Sequence, residues 1–274
     1  VRTVQDELER AIQRVAAGSG RTVFAGRTDR GVHALGQVVS IDACWRSSDA
    51  DLQAALNATL PDDVIVAAVA TARQDFHARF DALSREYRYR IRVSDILPVL
   101  DRRYVWWRRT AIDAERASHA CRLFVGRHAF GTFAGSGWSQ RKSDAQLVRT
   151  VQSCSWHSVP DGTHELRITA DGFLPHMVRN IVAAIVRVGS GVAEPEWIDE
   201  LIHANDRRRL GDAAPPHGLV LWRVEYADDE PASRPRLDGL RGDRESGGRA
   251  CDSRHTLPER QTSSDSGTSS TPMG

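Results

Sequence analysis

Gly26-Arg27-Thr28-Asp29-Arg30-Gly31-Val32-His33-Ala34 is the stretch on which the reading of this chain turns. A short run, Thr22 to Ala25, precedes it and a second, Val38 to Ile41, follows, so it reads as a loop between two strands. Glycine at both ends permits a tight bend and close approach of backbone to a ligand. Between them one carboxylate stands among two arginines. A nearby guanidinium favours the charged form of a carboxylate, which suits a nucleophile or a base better than a general acid. The plainer alternative is a connecting loop whose aspartate closes an Asx turn. A phosphate-cradling P-loop is excluded, because no Gly-Lys-Ser/Thr follows.

Working outward, Thr3 is placed to cap a first helix whose apolar face is Val4, Leu8, Ile12 and Val15, ended by Gly18 and Gly20. Asp51 to Leu60 reads as a helix stopped by Pro61, and Val64 to Val69 as a buried strand. Phe76 to Val93 reads largely as strand, with Tyr87, Tyr89, Ile91 and Val93 alternating with Arg88, Arg90 and Arg92. Asp113 caps a helix running to about Val125. Val148 to His157 and His164 to Thr169 form an antiparallel pair about the Pro160-Asp161-Gly162 turn. Pro175 to Val188 is a helix, Pro195 opens another, and Leu219 to Tyr226 is the last strand. The fold class is α+β, as two α/β blocks meeting near residue 75. Residues 229–274 have no aromatic residue and are rich in Ser, Gly, Pro, Arg and Asp. Such a segment buries too little apolar surface to offset its ordering entropy, and is expected to be a disordered tail.

A second chemical signal spans residues 76–109. Nine arginines stand there against four acids, a local excess of +5, while the whole chain carries +1. Tyr104, Trp106 and Trp107 interleave with the last of them. Arginines beside aromatic rings suit RNA, where phosphates set affinity and rings stack on bases. The alternative is an edge strand with a solvated arginine face.

Other classes find less support. Of 37 basic residues only Lys142 is lysine, a bias that genomic base composition also produces. Cys44, Cys121, Cys154 and Cys251 are widely spaced with no CxxC pair, which argues against a zinc site and suits reduced thiols. No run approaches 18 apolar residues and no leader pattern is present, so a cytoplasmic protein without membrane contact is expected. His33, His77 and His128 lack ligand spacing for a metal. A glycosidase needs two carboxylates about one bond, and only Asp29 stands in a motif.

GRTDRGVHALGQV resembles the signature loop of the TruA family of tRNA pseudouridine synthases. The resemblance continues in order through LNATLPDDVIV (residues 56–66), FHARF (76–80), REYRY (85–89), GFLPHMVRNIV (172–182) and APPHGLVLWRVEY (214–226). It covers nearly all of residues 1–228. It implies a pseudouridine synthase fold, with two related α/β subdomains (1–75 and 76–228) around a mostly antiparallel sheet and a central basic cleft. It implies isomerisation of uridine to pseudouridine in the anticodon stem-loop of tRNA, with no cofactor and no metal, by a homodimer in which one tRNA spans both subunits. Asp29 is then the catalytic aspartate. Arg27 pairs with it and helps displace the base, and Arg30 adds positive charge in place of the family's usual small residue. Tyr87 contacts the target uridine. Arg79 and Arg85 fall in matched substrate-binding segments, and His176, Arg179 and Leu219 lie in segments that border the cleft. Glu86 departs from the basic residue often found there and is expected to pair with an arginine. Family members open with a strand bearing Tyr-Asp-Gly and Gly-Trp-Gln, whereas this sequence opens at Val1, two residues before Thr3. That departure implies an uncovered edge in the first block, and makes a catalytically impaired RNA-binding fragment of the same fold the alternative.

Overall fold

The computed structural model describes residues 2–18, 21–135 and 143–227, so the expected tail lies outside the described residues. Helix α1, Val4–Val15, starts where expected: the Thr3 hydroxyl accepts from Asp6 N at 3.1 Å. Leu8, Ala11 and Ile12 are buried, while Val4, in the first turn, stays exposed. Strands β1 (Thr22–Phe24) and β3 (Val39–Ile41) pair antiparallel, and between them lies the two-residue strand β2 (His33–Ala34). Helix α2, Asp49–Thr59, begins two residues before its sequence signal. Its cap is Ser48, which forms a reciprocal capping box with Asp51.

Val64 to Val69 is not a strand. Asn57 bonds both backbone groups of Val66, at 2.9 and 2.8 Å, and Gln53 donates to the carbonyls of Val66 and Ala67 at 3.1 and 2.8 Å. Side chains of α2 thus satisfy a segment that an apolar run would assign to a sheet. Ile65 points out, 79 % exposed, while Val64, Val66 and Val69 pack beside α1 and α2.

The main sheet carries the second and larger core. Strand β4 starts at Ser84 rather than near Phe76 and runs to Val93. Further along come β5 (Trp106–Arg108), α3 (Ala114–Leu123), β6 (Gly126–Ala129), the single turn α4 (Asp144–Leu147), β7 (Val148–Ser158) and β8 (Thr163–Ala170). The chain closes with α5 (Met177–Gly189), α6 (Glu196–Ala204) and β9 (Leu219–Glu225). Strand order is β2-β9-β4-β8-β7-β6, with β5 beside the far end of β4. Only the β2–β9 and β4–β5 pairs are parallel, so the α+β class and the mostly antiparallel sheet hold. The β7–β8 hairpin is the one expected about Pro160 to Gly162.

Strand β4 lies at the centre of this sheet, not at an edge. Tyr87, Tyr89 and Ile91 face the core that α3 and α5 belong to. The even-numbered face carries arginines already matched with acids. Arg88 meets Glu86 at 2.7 Å, as expected of Glu86, Arg90 meets Glu165 at 3.0 Å, and Arg92 meets Asp161 at 2.5 Å. Arg88 also stacks over Trp222 at 3.7 Å. The alternating arginines of β4 are therefore not a free basic surface.

Helix α5 is buried along most of its length because Val, Ile, Ala and Met fill most of its surface, with Arg179 partly buried and Arg187 exposed. Its one buried amide, Asn180, donates to the Phe133 carbonyl at 2.7 Å and accepts from Arg207 at 3.3 Å. Asn180→Ala leaves that carbonyl without its partner and is expected to lower the unfolding free energy by about 1–3 kcal/mol, measured by urea denaturation.

Candidate active site

The loop after β1 is fixed at both ends. Ala25 N donates to Val38 O at 2.9 Å. The Gln37 amide then takes both backbone groups of Gly26, accepting from its N at 3.3 Å and donating to its O at 2.7 Å. Val32 N closes a turn on Asp29 O at 3.0 Å, and Gly31 within it has φ +84°, where a side chain would be strained. Beyond the turn, β2 joins β9 at Val220 and Leu221, and the amides of Leu35 and Gly36 both reach Leu221 O. The loop carrying Asp29 is thus stapled to one end of the main sheet.

The opposing wall is the first turn of α5. Arg179 Nη1 donates to Asp29 Oδ2 at 3.0 Å, and His176 Nε2 lies 3.5 Å from the same oxygen. Arg179 is itself aimed, because its Nε donates to Ala214 O at 2.7 Å. The Ala214–Gly218 segment serves both walls: Tyr89 Oη donates to Pro215 O at 2.8 Å, and a side chain at Gly31 would press on Pro216. His176 holds φ +63°, a left-handed conformation uncommon outside glycine. Such backbone persists where its surroundings over-determine it, and it concentrates at ligand sites. Arg179 and His176 both approach Oδ2, and Oδ1 has no hydrogen-bond partner among the described residues. The Asp29 side chain remains 29 % exposed.

Tyr87 reaches the same place from β4. Its ring packs edge-on against Phe173, with centroids 5.1 Å apart. Burial, reinforced by the negative charge of Asp29 and opposed by Arg85, pushes its hydroxyl up to about 12. The hydroxyl makes no hydrogen bond to any described residue, and it lies beside Gly26, where an added Cβ would sit in ordinary contact with it at 3.6 Å. It is a neutral donor without a protein acceptor.

The structure therefore brings Asp29, Tyr87, His176 and Arg179 together. It does not show the expected Arg27 pairing. Arg27 and Arg30 are exposed and make no ion pair or hydrogen bond among the described residues, and the ion pair belongs to Arg179. Arg85 is almost fully buried, with its guanidinium taken by the carbonyls of Ala25, Arg79, Ala82 and Asp171. It ties the start of the Asp29 loop to neighbouring turns and has no fork left for a phosphate. Leu219 is a buried core residue opposite Tyr89. Arg79 is exposed beside Phe80. Sequence reading missed Gln37 as the loop clamp and Phe173 as the support for Tyr87. Gln37 lies in the signature stretch, but nothing in a lone glutamine announces a two-bond clamp on backbone eleven residues away.

His33, His77 and His128 each engage a separate backbone group. Among the described residues no cluster of three or more His, Cys, Asp or Glu is spaced to hold a metal ion, and no helix is long and apolar enough to cross a membrane.

One ion-paired carboxylate near a buried tyrosine whose hydroxyl has no partner among the described residues, at the end of a mixed sheet, defines an α+β protein with a single-carboxylate site. A family model described as tRNA pseudouridine synthase matches residues 1–81 and 120–227. The chain belongs to that family. It is 39 % identical over 227 residues to "tRNA pseudouridine synthase A" of Fervidobacterium nodosum, covering 82 % of this chain and 91 % of the relative. It is 40 % identical over 227 residues to the protein of that name from Geobacillus sp. (82 % and 89 % covered), and 37 % over 228 residues to that from Bacillus subtilis (82 % and 90 %).

Arg85→Gln removes a guanidinium that satisfies four carbonyls. It is expected to lower stability by roughly 2–4 kcal/mol, measured by chemical denaturation, with Arg79→Gln near the parent value.

Proposed function

We propose that this chain converts uridine to pseudouridine in the anticodon stem-loop of tRNA, with Asp29 as nucleophile or base. The observation that carries the reading is the split carboxylate: Oδ2 is approached by Arg179 and His176, and Oδ1 is unengaged among the described residues. The reaction is an isomerisation. The C1′–N1 bond breaks, a C1′–C5 bond forms, and the C5 proton moves to N1, so no electrons enter or leave. A carboxylate can serve it by attack on the sugar, by attack on the ring, or by removing a sugar proton, and the arrangement accommodates all three.

Arg179 fixes which oxygen of Asp29 faces the substrate. The uridine must leave its stack to reach a carboxylate in a loop, at about a few kcal/mol. Arg27 and Arg30, exposed on either side of Asp29, are placed to hold the flanking phosphates while it does so. Tyr87 offers its hydroxyl to a uracil carbonyl. Its ring is too buried to stack face-on. In the same reading residues 1–75 form the block that carries the loop and 76–228 the block that carries its opposing wall. By family resemblance the active form is a cytoplasmic homodimer acting on tRNA without cofactor or metal.

Asp29→Asn and Asp29→Ala, incubated with an unmodified tRNA transcript, are expected to lose pseudouridine formation by roughly 10³-fold or more, read by mass spectrometry of nuclease digests. Activity retained in both would refute the assignment, and an inactive parent that still binds tRNA would favour a catalytically silent RNA-binding module. Arg179→Gln is expected to depress kcat by roughly 10- to 100-fold with a smaller effect on KM. Because the Tyr87 hydroxyl titrates only near about 12, it stays protonated through neutral and mildly alkaline pH. Tyr87→Phe is therefore expected to lower the rate by a constant factor between about pH 6 and pH 9, without moving the limbs of the pH–rate profile.

A further inference from the structure

The FHARF segment forms a turn, not the strand its sequence suggests, and the turn holds an aromatic ring out in solvent. Phe80 is 75 % exposed. The imidazole of His77 stacks on it, with centroids 4.3 Å apart and planes inclined by 28°. The guanidinium carbon of Arg79 lies 5.7 Å from the ring centroid. Arg79 makes no hydrogen bond or ion pair through its side chain among the described residues.

This turn is rigid. His77 N donates to Asp81 Oδ2 at 2.9 Å, and Asp81 N returns to His77 O at 3.1 Å. The amides of Arg79 and Phe80 both donate to His77 Nδ1, at 3.2 and 3.1 Å. Arg73 holds Asp81 at 2.6 Å. His77 thus supports the ring with its imidazole face and fixes the backbone with its Nδ1. A large apolar side chain fixed in water by so many polar contacts gains nothing from folding, so its use lies in what it meets.

Its position is set by Arg85. One nitrogen, Nη2, donates to the carbonyl of Ala25 and also to that of Arg79. The base of the Asp29 loop and the residue before Phe80 therefore lie within two hydrogen bonds of each other. Arg27 and Arg30 follow Ala25 closely in the chain and Arg79 precedes Phe80; all three are exposed and without acidic partners among the described residues. A ring that exposes most of its surface, next to the Arg79 guanidinium, matches the parts a single-stranded nucleotide needs, stacking for its base and charge for its phosphate.

We propose that the turn of residues 77–81 is a stacking platform for an unpaired base of the RNA substrate, distinct from the reacting uridine, with Phe80 meeting the base and Arg79 its phosphate. This rests on the proposed activity for the identity of the RNA. A preordered ring loses little entropy on binding. It also catches a neighbouring nucleotide while the target base is out of its stack.

The test uses the full chain and one unmodified tRNA transcript. Phe80→Ala, Phe80→Leu and Phe80→Trp are compared with the parent for tRNA dissociation constant, for single-turnover pseudouridine formation and for thermal melting. Melting is expected to be unchanged, because Phe80 is exposed. Phe80→Ala and Phe80→Leu are expected to weaken tRNA binding by roughly 5- to 100-fold, and Phe80→Trp to bind as well as the parent or better. Leucine binding as tightly as phenylalanine would overturn the platform, since an aliphatic side chain cannot stack, and so would an unchanged constant in the alanine variant. If the parent makes no pseudouridine but its tRNA binding still follows this aromatic order, the activity reading fails and the platform stands. If the parent makes pseudouridine and the order is absent, the platform alone fails.

Discussion

The contact between Arg179 and Asp29 joins residues 150 positions apart, and the candidate site depends on it. Asp29 sits on a loop that the small N-terminal sheet delivers, while Arg179 sits on the most deeply buried helix of the main core. Neither wall has a site by itself. Close packing of α5 leaves it little freedom to shift, and the Ala214 carbonyl removes the remaining freedom of the guanidinium. The aspartate is thus held by something that cannot readily move away. The carboxylate keeps one oxygen engaged by the protein and the other without a partner among the described residues.

Much of the remaining architecture serves that contact. Gln37 grips Gly26, Gly31 makes the turn, and the parallel joining of β2 to β9 fixes the far end of the loop. Tyr89 secures Pro215, and the same segment supplies Ala214 for Arg179 and Pro216 for Gly31. Arg85 has a quieter part. Its charge is spent on four carbonyls inside the protein, where it joins the Asp29 loop to the turn bearing Phe80. Two arginines of one sequence region, Arg79 and Arg85, thus have opposite duties. Burial separates them: one guanidinium is saturated by backbone and the other is open to water.

What could be read from sequence was whatever depended on near neighbours. The caps at Thr3 and Asp113, the hairpin about Pro160 to Gly162, the apolar helix from Pro175 and the alternation in β4 are all local patterns, and they appear in the structure within a few residues. Asp29 was legible because its setting between glycines and arginines is unusual. Its partner was not. The family resemblance pointed to Arg27, but that side chain is exposed and engages no described residue, and the ion pair comes from a helix 150 positions away, which no local pattern reveals. Val64 to Val69 failed for a related reason: its apolar run was real, but Gln53 and Asn57 of α2 satisfied its backbone before any strand could. The arginines of β4 suggested a basic face because their acids, Glu165 and Asp161, lie on or beside another strand and are invisible in the local count.

The arrangement is tested most directly by a structure of the Asp29→Asn chain, which is expected to lose turnover, bound to unmodified tRNA. One uridine of the anticodon stem-loop is expected to be rotated out of its stack, with its C1′ or ring C6 within about 3–3.5 Å of the side chain at position 29, the Tyr87 hydroxyl on its base, and Arg179 still behind it. A uridine left in its stack, or bound to another face with the Arg179 wall empty, would contradict it.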